Sequence, residues 1–262
     1  MCKFISKQKL LVFYVLAFSI SWTSWYVMSI ANVSDKPTIV VYIFSTVGGL
    51  GPLLSLLLVH KWSDEELNLK VILSRIHVRE AKSIWGILAI IAMPIATLLG
   101  GLGYFLMGRE DQFRIIKTGP DEMGIFVVLV IIVQFAAALV TSPLFEEPGW
   151  RGFALVNLQK KYGRTIGSLV VAFLWWLWHQ PMNLTFGLDP TIYSTLTLVV
   201  SSFIIDSLFN LNNKSLFTAM LAHQSMGTIN TFLYQGQENW LTLIFKIIFL
   251  IILRWKEIRE IK

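Results

Sequence analysis

Two adjacent carboxylates and an arginine, Glu146, Glu147 and Arg151, close a run that has no charged residue from Gly124 to Phe145. Two histidines, His179 and His223, stand inside later apolar runs. A glutamate in apolar surroundings can take a proton from water. Histidines can orient that water, hold a metal, or stabilise the oxyanion of an attacked amide. Zinc in hydrolytic sites commonly takes two His and one carboxylate. A carboxylate with two histidines is therefore a recurring hydrolytic set. Each buried charge costs roughly 2.5–3.5 kcal/mol near a bilayer centre, so such groups are kept where they pair or work.

The surroundings are those of a membrane. The 262-residue chain is 55% hydrophobic and 15% charged, against about 25% charged in soluble domains. Its mean hydropathy is +0.64. The fold class expected is all-α, a polytopic membrane helix bundle of about eight spans, each of about 20 apolar residues. The spans run near Leu10–Ile30, Ile39–Val59, Ile84–Met107, from Met123, Thr165–Leu184, Thr191–Phe209, Leu216–Leu233 and Trp240–Trp255. One integral membrane domain, 1–262, is expected, with residues 143–230 as its chemical core. Between Ser63 and Lys82, Leu69, Ile72, Leu73 and Ile76 recur at helical spacing among charges, which predicts an amphipathic helix on the membrane surface. Gly48, Gly49, Gly51 and Pro52 interrupt the second span. Small residues allow close helix packing and proline a kink.

Net charge is +6. The cations fall in short loops, which signals topology rather than nucleic-acid binding. Lys3, Lys7 and Lys9, then Lys61, Lys70, Arg75, Arg79 and Lys82, then Arg151, Lys160, Lys161 and Arg164, then Lys214, then Arg254, Lys256, Arg259 and Lys262 share one side of an eight-span layout. Lys36, Arg109, Arg114 and Lys117 take the other. The chain is expected in the cell membrane with both termini cytoplasmic. Its partners are then the lipid bilayer and a peptide or membrane-protein substrate. The single cysteine, Cys2, excludes an intrachain disulfide or a cysteine-based zinc site.

Depth decides whether the groups can meet. If the fourth helix continues to about Asn157, Glu146 stands roughly 16 Å above its inner end. His179 stands roughly 22 Å from Arg164, and His223 roughly 13 Å above Lys214. The constellation thus requires a long fourth helix, with Pro148 bending it just after the carboxylates. Glu147 and Arg151 are i and i+4 and can pair on one face. Glu146 points about 100° away and is the available base. Asp206 is expected near water or a cation at the inner end of its span, and Lys246 to snorkel. The tryptophans are expected mainly in interfacial belts or packing, with Trp175 and Trp178 also able to line a cleft.

Glu146-Glu147-Pro148-Gly149-Trp150-Arg151-Gly152 matches the EExxxR motif of the CPBP family. Trp175 and His179 match its second motif, an aromatic, three residues and a histidine. His223 matches its late-span histidine. The chain resembles these intramembrane metalloproteases, which are related to CAAX prenyl endoproteases and to bacteriocin-processing and immunity proteins. The resemblance implies that Glu146 activates water and His179 assists, while His223 completes the site or supports the oxyanion. It makes Glu147 and Arg151 a structural pair, with Trp175 in support. Glu146, His179 and His223 would be the ligands if zinc is used. The family often has Asn or Asp four residues after the last histidine; here that position is Gly227. Asn230 is on nearly the same face, roughly 10 Å along the helix from His223. An endopeptidase, a non-catalytic immunity protein that binds, and an ion- or proton-coupled transporter are the three functions weighed. The absence of paired half-helix repeats counts against the last.

Overall fold

The computed structural model describes residues 8–31, 39–63, 68–109, 113–115, 126–235 and 239–260. Cys2, Lys3, Lys7, Lys36, Lys117, Met123, Lys262 and the side chain of Asn230 lie outside the described residues. The fold is all-α apart from one short ladder. Among the described residues four helical stretches are long and apolar enough to cross a membrane, or five if one bent pair is a single span. This is a multi-pass membrane protein. Leu98, Leu102, Phe105, Ile132, Val133 and Ile251 are exposed, as suits surface that faces lipid rather than water.

The described residues form two compact units. The first takes the chain to Ile76 and again from Leu144 to Thr191. Its helices are α1 (Lys9–Ala31), α2 (Ile39–Gly49), α3 (Gly51–Trp62) and the single-turn α4 (Leu69–Leu73). Then come the end of α7 (Ser142–Glu147), a π-helix (Pro148–Leu155), α8 (Val156–Tyr162) and α9 (Arg164–Thr185). α2 and α3 are the expected second span, bent by 50° at Leu50. Pro52 stands in the first turn of α3, where its missing N–H costs nothing. The kink foreseen from Gly51-Pro52 is thus a break between two helices. Gly163 separates α8 from α9 with φ +81°, a conformation that favours glycine.

Small residues set the packing of this unit. A Cβ on Gly48 would fall 2.2 Å from the Trp25 indole nitrogen, and one on Gly51 would fall 2.0 Å from Ser21 Oγ. Ser21 Oγ donates to Gly48 O at 2.6 Å. α1 therefore lies directly on α2 and α3. The core is aromatic: Phe13, Trp25, Trp150, Phe153, Trp175 and Trp178 are all buried. Phe13 meets Trp150 and Phe153 edge-on, and Trp178 meets Trp25 and Trp150. These four tryptophans are core, not an interfacial belt. Trp240 and Trp255, near the ends of the last helix, are the exposed ones.

The second unit runs from His77 to Pro143 and from Ile192 to Lys262. It holds a 3-10 turn (Val78–Lys82), α5 (Ile84–Leu106), β1 (Phe113–Ile115) and α6 (Phe126–Leu139). α10 (Ile192–Leu211), α11 (Leu216–Phe232), β2 (Leu233–Gln235) and α12 (Trp240–Arg259) complete it. α5 packs against α10, α11 and α12. Ser83 caps α5 by accepting from Gly86 N at 3.0 Å, and Asn239 caps α12 by accepting from Thr242 N at 2.9 Å. Gly100 lets α12 approach: a Cβ there would fall 2.6 Å from Thr242 N. β1 and β2 pair antiparallel, Arg114 opposite Tyr234, a contact that helical periodicity does not foreshadow.

α9, α11 and α12 occupy the other expected spans, each shorter or less apolar than a lone span. α11 has 17 residues. α9 carries His179, Gln180 and Asn183, and α12 carries Lys246, Arg254, Lys256 and Glu257. The expected surface helix is α4 followed by the 3-10 turn. Of its apolar set Ile72 is buried while Leu73 is 40% exposed. Asp206 is not near water: it is fully buried. Lys246 does not snorkel; it is buried and donates to Ser201 Oγ at 3.4 Å.

Candidate active site

The run Leu129–Tyr162 is the expected long fourth helix, 34 residues in all. Glu146 and Glu147 end its α7 segment, and Pro148 begins eight residues of π-helix. Proline cannot donate to the carbonyl one turn back and its ring crowds that carbonyl. The expected bend is thereby taken up as a widened turn with i→i+5 bonding. π segments are rare and frequent at functional sites. All eight residues from Pro148 to Leu155 are buried. Gly149 makes this possible: a Cβ there would fall 2.8 Å from Pro52 O on α3.

Glu146 is 3% exposed, and Glu147 and Arg151 are fully buried. Arg151 NH1 donates to Glu147 Oε1 at 3.0 Å, the i,i+4 pair read from spacing. The Arg151 guanidinium also lies over the Trp175 ring, 4.7 Å from its centroid. Trp175 Nε1 donates to Glu146 Oε2 at 2.9 Å. The Trp175 carbonyl is 2.7 Å from His179 Nδ1. Trp175 thus touches Arg151, Glu146 and His179. Its ring faces the cation, its edge holds one carboxylate, and its backbone orients the histidine one turn on.

The Trp175 carbonyl can only accept, so His179 Nδ1 carries the proton in this bond. In the neutral ring Nε2 is then left with its lone pair, the state of a base or a ligand. The imidazole stands edge-on to two tryptophans, with centroids 4.8 Å from Trp175 and 4.8 Å from Trp178. Trp22 Nε1 donates to the Trp178 carbonyl at 3.1 Å and ties this turn of α9 to α1. Packing and one hydrogen bond together hold the ring's plane.

Five of the sequence-derived residues, Glu146, Glu147, Arg151, Trp175 and His179, therefore form one contiguous network in the first unit. His223 belongs to the second unit, on α11, and is 7% exposed. Its neighbour Ser225 donates to Ala89 O at 2.9 Å and fixes α11 against α5. Gln224 Nε2 donates to Thr228 Oγ1 at 2.9 Å. Gly227 is roomy: a Cβ there would meet only Gln224 Nε2, at 3.9 Å. Trp175 and Trp178 are buried, so they pack the network rather than line a cleft. What sequence reading missed is the double duty of Trp175. The signal available was its place one turn before His179, which alone does not say which carboxylate its indole meets.

Zinc at hydrolytic centres is held by three protein ligands. No group of three or more His, Cys, Asp or Glu able to hold a metal occurs among the described residues. Glu146 and His179 lie in the first unit and His223 in the second; these three would hold zinc if it is used, and the chemistry proposed runs through no metal.

Residues 127–232 match the model of the family described as type II CAAX prenyl endopeptidase Rce1-like. The match spans both carboxylates, Arg151, Trp175 and both histidines. Over this stretch the chain is similar to the CAAX protease family. It is 25% identical over 174 residues to CAAX prenyl protease 2 of Methanococcus maripaludis, covering 65% of this chain and 61% of that relative. The chain thus matches about three fifths of the length of that curated relative.

Proposed function

We propose that this chain is a CAAX-type intramembrane endopeptidase in which Glu146 activates the attacking water. The observation that carries the reading is the division of labour between adjacent carboxylates. Glu147 is taken by Arg151. Glu146 is oriented by a neutral indole donor instead.

Glu146 takes a proton from water as the oxygen attacks the scissile carbonyl carbon. The carbonyl π electrons move to oxygen and give a tetrahedral oxyanion. His179 Nε2 orients the water by accepting a hydrogen bond from its second O–H. Collapse breaks the C–N bond, and the proton held by Glu146 passes to the leaving amine. His223 carries over from the sequence reading as the support of the oxyanion. The substrate class is a peptide or membrane-protein tail. Both termini are proposed to face the cytoplasm, with the basic loops there; reporter fusions at each end check this.

A second reading, binding without cleavage as in an immunity protein, is favoured by Gly227, where the family pattern often has a polar side chain. One experiment separates the two. The full chain and its Glu146→Gln, His179→Gln and His223→Gln variants are assayed for peptide cleavage and for the cellular phenotype. Loss of both in Glu146→Gln with the protein still folded supports the enzyme. A phenotype that survives Glu146→Gln leaves only the binding role. A chelator titration in the same assay reports metal dependence.

A further inference from the structure

The second unit contains a cavity of about 480 Å³ lined by Gln134, Ala137, Ala138, Thr141, Gln224 and Thr228. Its size is that of ordinary ligand pockets, about 300–1,000 Å³. Its lining is unusual for a membrane helix layer. Gln134 is the one polar residue of α6, within Phe126–Leu139. Amides in hydrocarbon are costly unless something hydrogen-bonds them. On α11, Gln224 and Thr228 are i and i+4, share one face, and are linked at 2.9 Å. Thr141 Oγ1 donates back to Ala138 O at 2.8 Å and ends α6 at the cavity wall. Ala137 and Ala138 supply the small residues that leave the space open.

We infer that this cavity binds a short extended segment of polypeptide, with the Gln134 and Gln224 amides hydrogen-bonding its backbone. A primary amide offers one acceptor and two donors, which match the N–H and C=O of an extended strand. A hydrocarbon chain would leave the Gln134 amide and the unused groups of the Gln224 amide facing it, the expensive outcome. A bound ion would be better served by carboxylates or cations, and neither lines the cavity. The two linings are adjacent in sequence to the proposed chemistry. Gln224 follows His223, and Thr141 precedes Glu146 on the same helical run. The inference rests on the endopeptidase reading for its substrate class and adds the residues that hold the peptide.

The test uses the full chain in lipid nanodiscs, with Cys2→Ser and Ala138→Cys so that one thiol reports on the cavity. The rate of N-ethylmaleimide labelling is measured with three probes: a mixture of capped hexapeptides, their ester analogues lacking backbone N–H groups, and oleic acid. The hexapeptides are expected to slow labelling about fivefold or more, the size of one net hydrogen bond. The ester analogues protect less, oleic acid does not protect, and Gln224→Leu or Gln134→Leu removes the protection. Equal or better protection by oleic acid overturns the proposal in favour of a lipid-chain site. No protection by any probe, at Ala138→Cys and at Ala137→Cys alike, overturns it outright. The Glu146→Gln variant keeps the two readings apart. Protection without any Glu146-dependent cleavage sinks the endopeptidase and leaves the cavity. Cleavage without protection sinks the cavity alone.

Discussion

Each unit buries a carboxylate beside an arginine, and the two are built for different ends. In the second unit Glu257 is 1% exposed near the end of α12. It accepts from Asn210 Nδ2 at 2.9 Å and Ser207 Oγ at 3.3 Å, and pairs with Arg254. Cation and hydroxyl converge on one carboxylate, and Arg254 keeps 19% of its side chain exposed. In the first unit two carboxylates stand in successive positions and take different donors. Glu147 receives the arginine, which is wholly buried, and Glu146 receives an indole. The difference sets the proposed site apart from a staple: its second glutamate, Glu146, takes a neutral indole donor. A helix that only needed to bury Arg151 would need Glu147 alone.

The largest effect that tests this contrast is kinetic. Glu146→Gln keeps an acceptor for Trp175 Nε1 and removes the base. Cleavage per folded molecule is expected to fall about 10²–10⁴-fold, the usual weight of a general base. Glu257→Gln, measured in the same assay, is expected to change stability and leave that rate alone. Equal losses of rate in both variants would erase the distinction.

Next comes the pair itself. Arg151→Met leaves Glu147 buried without its cation and is expected to cost about 3–5 kcal/mol of unfolding free energy. Arg254→Met, at a partly exposed group with other donors on Glu257, should cost about 1 kcal/mol or less. Chemical denaturation in detergent micelles checks both.

Trp175→Phe keeps a ring under Arg151 and deletes the donor to Glu146. A loss of about 1–3 kcal/mol is expected for the buried acceptor left behind. Cleavage should fall as well, through the carboxylate's orientation. Unchanged stability together with unchanged activity would remove Trp175 from the network.

The smallest effects concern glycines. Gly149→Ala pushes a methyl against Pro52 O and should destabilise by about 1–3 kcal/mol. Gly227→Ala meets nothing closer than 3.9 Å and should stay within about 1 kcal/mol, with helix propensity on its side. Gly227→Asn then asks whether a polar side chain there raises cleavage; the space permits it.

Much of this protein was legible before any coordinates. The membrane class followed from missing charge and repeated apolar runs, because lipid leaves a backbone no other partners than its own helix. The Glu147–Arg151 pair and the long fourth helix followed from spacing, because i,i+4 geometry is local to one helix. The resemblance to the CAAX proteases followed from the same residues, and the matched stretch 127–232 contains them. Tertiary structure decided the rest. Periodicity states which face a residue is on, not which neighbour that face meets. It therefore left Trp175 as a motif position, Asp206 near water or a cation and Lys246 snorkelling, where packing takes both side chains out of water and makes Trp175 the contact shared by Glu146, Arg151 and His179. Pro148 announced a disturbed helix, but only the close approach of Pro52 on Gly149 shows how a widened, fully buried turn replaces a bend. The cavity is of the same kind: Gln134 and Gln224 are far apart in the chain, and only the packing of α6 on α11 brings their amides to one space.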